Sequence, residues 1–175
     1  IGISSGHVDV TSGTLACRVS NGCHTYALSN AHVYADENNG LFGDNILQPG
    51  PSDGGVNPDD TIGTLFNSVP IVMSTAASNK VDAALIQTTV DLVGTATRTN
   101  GYGQPISVDM NSALVPSVGM EVMKYGRTTA QTYGVIDAVN ATVYVGYIGG
   151  TARFVKQIII KEDLSIPQTR GFSRA

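Results

Sequence analysis

Thr14-Leu15-Ala16-Cys17-Arg18-Val19-Ser20-Asn21-Gly22-Cys23-His24-Thr25-Tyr26-Ala27-Leu28-Ser29 is the stretch from which the rest of the sequence is read. Residues 14–19 alternate with a period of two, the mark of a strand with one face buried. Asn21-Gly22 is the strongest short hairpin signal, and residues 23–29 resume the strand. A two-residue turn at Asn21-Gly22 sets Ser20 opposite Cys23 and sends Cys17 to the other face. A Cys17–Cys23 disulfide therefore requires a longer loop centred on Ser20. Two readings stay open: a bridge formed in an oxidising compartment, or two free cysteines packed as small apolar residues.

Outward from this hairpin the pattern repeats. Short strands are expected at Asn45–Gln48, Thr64–Phe66, Ile71–Ser74 and Val81–Gln87, then at Glu121–Tyr125, Gln131–Val139, Thr142–Ile148 and Ala152–Ile160. Hairpins are expected around Val139-Asn140-Ala141 and around Gly149-Gly150. Residues 36–63 hold five Asp, one Glu, three Pro and six Gly, so they read as loop around one brief strand. Residues 94–105 read as a connection. No amphipathic helix and no repeat of about 20–50 residues is visible. Many short strands with regular turn signals mean an all-β sandwich or barrel.

Composition narrows the function. The chain has 175 residues, 42% hydrophobic and 14% charged, which excludes a disordered chain. A net charge of −4 argues against a nucleic-acid-binding face. No run of residues is apolar for long enough to span a bilayer. The acids concentrate before Asp91 and the bases after it, which hints at two structural halves.

Two residues stand out chemically. His32, in Leu28-Ser29-Asn30-Ala31-His32-Val33, follows a strand and a small residue, a setting that leaves its imidazole at a rim. Asp82 lies in the apolar run Val81-Asp82-Ala83-Ala84-Leu85-Ile86. A carboxylate there either faces water at a strand edge or is buried against a partner, since burial without one is costly. His24 reads as a strand surface residue, and His7 sits in a polar stretch with no evident role. The acids from Asp36 to Asp60 read as solvated turn residues, with calcium ligation as the alternative. Asn140-Ala141-Thr142 matches a glycosylation acceptor.

Ser29-Asn30-Ala31-His32-Val33 resembles the histidine motif of trypsin-like serine peptidases, and Asp82-Ala83-Ala84-Leu85 resembles their aspartate motif. The 50 residues from His32 to Asp82 compare with about 45 in the serine-protease template. Gly13-Thr14-Leu15-Ala16-Cys17, Gln48-Pro49-Gly50-Pro51, Asp53-Gly54-Gly55 and Gly126-Arg127-Thr128-Thr129 extend the resemblance, to a bacterial branch, over essentially the whole chain. The sequence departs from the family at the nucleophile: Gly-Asp-Ser-Gly is absent. Ser173 lies 91 residues past Asp82, near the template's spacing of about 90. However, Phe172 stands where the family has an acid and Arg174 where it has a glycine.

The resemblance implies two six-stranded antiparallel β-barrels of the chymotrypsin type, the second incomplete in this chain. Residues 1–93 are expected to form an N-terminal barrel carrying His32 and Asp82. Residues 94–112 would connect the barrels, and residues 113–175 would begin the second. It implies a serine endopeptidase with catalytic His32 and Asp82, whose serine lies beyond Ala175, the fragment itself being inactive. It implies no cofactor or metal. The expected partners are a protein or peptide substrate, and a second chain or C-terminal segment completing the second barrel. The expected location is secreted or extracytoplasmic. Arg127 is expected to be a structural hydrogen-bond donor. Ile1-Gly2 is similar to the new N-terminus that activates trypsin-like zymogens by burying its amine against an acid. A non-catalytic pseudo-peptidase binding module and a self-processing protease are the competing functions.

Overall fold

A computed structural model of the chain describes residues 1–105, 114–163, 165 and 166. It is mostly β-sheet with almost no helix. Seven strands form the first sheet: β1 (Ser4–His7), β2 (Gly13–Thr14), β3 (Cys17–Ser20), β4 (Thr25–Ser29), β5 (Asn45–Leu47), β6 (Thr61–Ser68) and β7 (Ala84–Thr88). Their order is β2-β1-β5-β6-β7-β4-β3. The sheet curls, because its two edge strands are consecutive pieces of one extended stretch joined by Leu15-Ala16. At the joint Leu15 N–H donates to Ile3 O (2.9 Å) and Ala16 N–H to Leu28 O (2.9 Å). Side chains pointing inward from this curl, among them Leu15, Ala27, Ile46, Leu65 and Ile86, are buried. Burying each large aliphatic one contributes about 1.5–3 kcal/mol.

The second sheet is a long hairpin with one added strand: β8 (Glu121–Gly126), β9 (Ala130–Tyr147) and β10 (Gly150–Glu162), in the order β10-β9-β8. Ala152 and Phe154 of β10 are buried in the same cluster as the first sheet's core, with Val143, Val145 and Tyr147 of β9 packed against it. The loop from Ser74 to Lys80 is also lashed to β10. Arg153 N–H donates to Ser74 O (3.2 Å), Asn79 N–H to Arg153 O (3.2 Å) and Val155 N–H to Asn79 O (2.8 Å). The Gln157 amide donates to Lys80 O (2.9 Å).

Several expectations are corrected. The first hairpin closes with four residues, not two: Ser20 pairs with Thr25, and Asn21 N–H donates to His24 O (3.3 Å). The cause is the Asn21 side chain, whose Oδ1 accepts from Cys23 N–H (3.1 Å) and His24 N–H (2.8 Å). This Asx-type closure needs the left-handed Gly22 (φ 91°). Cys17 pairs with Leu28 and Cys23 sits in the exposed loop, so both are free thiols.

Residues 71–74 form no strand. Asn38 acts as their partner instead, accepting from Ile71 N–H (2.8 Å) and donating to Ile71 O (2.8 Å). There is no hairpin at Val139-Asn140-Ala141. Strand β9 runs straight through it, with Asn140 left-handed (φ 57°) opposite an irregular stretch of β10 that includes Lys156 (φ 59°). One asparagine in that region makes a bulge; reversing the strand needs a second such residue. The turn at Ile148-Gly149, before Gly150, is where it was expected. The 94–112 connection is irregular as far as Pro105, and the remainder lies outside the described residues.

Candidate active site

Strand β4 ends at Ser29, and Asn30 (φ −69°, ψ 150°) leads into a single helical turn, α1 (Ala31–Tyr34). His32 therefore stands on a short helix, not on a strand end. Ala31 is fully buried, and Val33 packs so closely on Gly13 that a Cβ there would lie 2.4 Å from a Val33 methyl. These small residues let the turn settle on the curled sheet. Ser29 pairs with Ala84, which brings Asp82, just before β7, alongside the start of α1.

The Asp82 carboxylate is enclosed by four donors. Oδ1 accepts from the backbone N–H of Ala31 (2.6 Å) and of His32 (3.2 Å), groups that a helix start otherwise leaves unpaired. Oδ2 accepts from His32 Nδ1 (2.5 Å) and from the Tyr147 hydroxyl (3.1 Å). Of the two side chains, Asp82 is 13% exposed and His32 34%. Burial works against the Asp82 charge, but the hydrogen bond and charge of His32, its backbone N–H and Tyr147 outweigh it. They hold the carboxyl below its usual range. Burial, then the Asp82 charge, pushes the Tyr147 phenol up, so it stays a donor.

An ionised carboxylate only accepts, so His32 Nδ1 carries the proton and a neutral ring has its lone pair on Nε2. Among the described residues Nε2 has no hydrogen-bond partner. His32 lies on the wall of a cleft of about 400 Å³ between the curled sheet and β8, lined also by Asn30, Tyr102, Lys124, Tyr125 and Arg127. A wider cavity of about 600 Å³ lies beside Asp53, Arg98 and Arg127 and does not reach the pair.

The other sequence-marked residues have structural settings. His7 is buried, with Nε2 2.9 Å from Asp44 Oδ2 and Nδ1 accepting from Asp9 N–H (3.2 Å). His24 is exposed. Arg127 grips both Asp53 oxygens through Nε and Nη2, tying the β8–β9 turn to the loop after β5. The Arg127 hydrogen bond is the main cause that brings Asp53 down to about 2, with help from Ser4. The acids of this loop engage neighbours: Asp44 takes Leu41 N–H (2.6 Å) and Asp60 takes Val56 N–H (2.8 Å). No metal-binding group of three His, Cys, Asp or Glu occurs among the described residues. The Ile1 amine donates to Ala96 O (2.9 Å), and no ion pair among the described residues includes it. Ser173 and its neighbours lie outside the described residues. Tyr147 escaped the sequence reading: it is 65 positions from Asp82 and belongs to the other sheet.

No family model and no curated protein matches the chain. Solved structures do. Protease A of Thermobifida fusca superposes with a TM-score of 0.54 at 19% identity, covering 89% of this chain and 66% of that one. A glutamic-acid-specific serine protease that uses a histidine triad in substrate binding superposes at 0.55 with 25% identity, covering 87% of this chain and 67% of that one. The fold is thus that of the chymotrypsin-like serine proteases. The chain spans about two thirds of the length of these neighbours.

Proposed function

We propose that the protein is a serine endopeptidase in which His32 and Asp82 are two members of a Ser-His-Asp triad. The observation that carries this reading is the His32 Nδ1–Asp82 Oδ2 hydrogen bond of 2.5 Å at the wall of a cleft that His32 lines. Asp82 fixes the tautomer and steadies the imidazolium. Nε2 takes the proton of the serine hydroxyl as its oxygen attacks the peptide carbonyl, then delivers it to the leaving amine.

The serine belongs to sequence following Ala175, with the donors that hold the oxyanion and the strands completing a second six-stranded barrel. Residues 1–93 form the first barrel and 113–175 begin the second, joined through 94–112. Residues 1–175 alone do not hydrolyse peptides. The location is extracytoplasmic; this rests on the likeness to bacterial proteases, since the free thiols lend it no support. The test is intact mass after reaction of the full-length protein with a fluorophosphonate. One adduct on a serine beyond Ala175, lost in His32→Ala, is the expected result. An adduct on Ser173 relocates the nucleophile, and no adduct makes the protein a non-catalytic module of the same fold.

A further inference from the structure

We propose that Tyr147 is a positioning residue for the His32–Asp82 pair, delivered from the second sheet by a hairpin tip that Glu37 holds in place. The proposal deepens the peptidase reading and rests on it for its kinetic consequence; the structural tie stands by itself. Tyr147 is the last residue of β9, paired with Gly150 across the turn. Its hydroxyl is 3.1 Å from Asp82 Oδ2, the oxygen that also takes the His32 ring proton. Its ring lies 6.1 Å from the imidazole and 6.3 Å from Phe154. Phe154 is 3% exposed, so the tyrosine leans on fixed core.

The tip has its own anchor. Glu37 receives Ile148 N–H on one oxygen (2.9 Å) and Gly149 N–H on the other (3.3 Å). Both Glu37 (φ 60°) and its neighbour Asp36 (φ 44°) are left-handed, a conformation that is costly for a non-glycine residue. The loop that follows the His32 helix thus adopts a strained path that turns the Glu37 carboxylate toward the hairpin. Ile148 itself is fully exposed, so no side-chain burial at the apex holds the tip there. The circuit runs from α1 through Glu37 to the tip, through Tyr147 to Asp82, and back to His32. With Tyr147 in place each Asp82 oxygen accepts two hydrogen bonds. Without it Oδ2 answers to His32 alone, and the carboxylate can turn away from Nδ1.

Tyr147→Phe and Glu37→Gln in the full-length protein test this. The first readout is the downfield His32 Nδ1–H proton resonance, followed by NMR as its exchange with water. The second is the rate constant of fluorophosphonate labelling. A hydrogen bond to a charged group is worth about tenfold or more, so labelling is expected to fall about tenfold in Tyr147→Phe and about threefold in Glu37→Gln. The resonance should broaden in both while the melting temperature stays near the parent's. Glu37→Gln reports by itself if Tyr147→Phe does not fold. Retention of a sharp resonance in the folded variants overturns the proposal whatever the rates do. A parent that never labels defeats the peptidase reading, and the resonance still decides the tie.

Discussion

Two histidine–aspartate pairs sit on the same curled sheet, and they are built inside out relative to each other. In His7–Asp44 the imidazole is 2% exposed and the carboxylate 33%; in His32–Asp82 the imidazole is 34% exposed and the carboxylate 13%. Both His7 nitrogens are occupied. Nδ1 accepts from Asp9, so Nε2 must carry the proton given to Asp44. Such a ring has no site left for a proton in transit and serves as a strut between β1 and the loop before β5. His32 donates Nδ1–H to Asp82, and its Nε2 has no hydrogen-bond partner among the described residues. A hydrogen-bonded His–Asp pair is therefore poor evidence of catalysis taken alone. The orientation of exposure separates a proton carrier from a fixed cross-link.

The comparison can be broken at either pair. The largest effect is expected at the second: in the full-length protein His32→Ala or Asp82→Asn lowers peptide hydrolysis by about 10⁴-fold or more. His7→Gln and Asp44→Asn leave the rate per folded molecule within about twofold. Equal losses at both pairs, read from active-site-titrated kinetics, would abolish the distinction. Next in size, His7→Ala costs about 2–4 kcal/mol of stability, because it opens a buried site and orphans its partners; urea unfolding measures it.

Smaller still is the acid dependence. Leu41 N–H, then the His7 hydrogen bond, holds Asp44 below its usual range, and Asp82 is lowered despite burial. A depressed folded-state pKa contributes stability that is present above the unfolded value of 3.8 and fades as pH falls through the folded value. Asp44→Asn should thus destabilise at pH 7 and converge with the parent in strong acid, as seen in urea midpoints across pH. The smallest effect is expected from a reductant: with Cys17 and Cys23 unbridged, dithiothreitol should shift the unfolding free energy by less than about 0.5 kcal/mol.

Local chemistry decided what the sequence could reveal. Strand β3 alternates in sequence, and His32 and Asp82 announce themselves by motif and spacing. The turn at Asn21 was misjudged because one side-chain oxygen captures two backbone donors, an option that dipeptide statistics do not weigh. Residues 71–74 look like a strand because Ile71 is buried like one; its backbone partner is an asparagine side chain. The missed site residue follows from a turn expected inside what is one continuous strand. With a hairpin at Val139-Asn140-Ala141, β9 would turn back early, and nothing would carry Tyr147 to Asp82. His7 was overlooked because its burial comes from β1 pairing with β5, a contact that no local pattern encodes.

The joint at Leu15-Ala16 has a consequence for the order of assembly. It makes the first sheet a ring of neighbours, in which Gly6 must find Leu47 and Tyr26 must find Gln87. Non-local pairing of this kind places folding in the range of about milliseconds to seconds. Strand β7, which brings Asp82 to His32, is the last of the ring to be synthesised. The His32–Asp82 pair therefore forms as the ring closes, so its hydrogen bond arises only once the first half of the molecule is already whole.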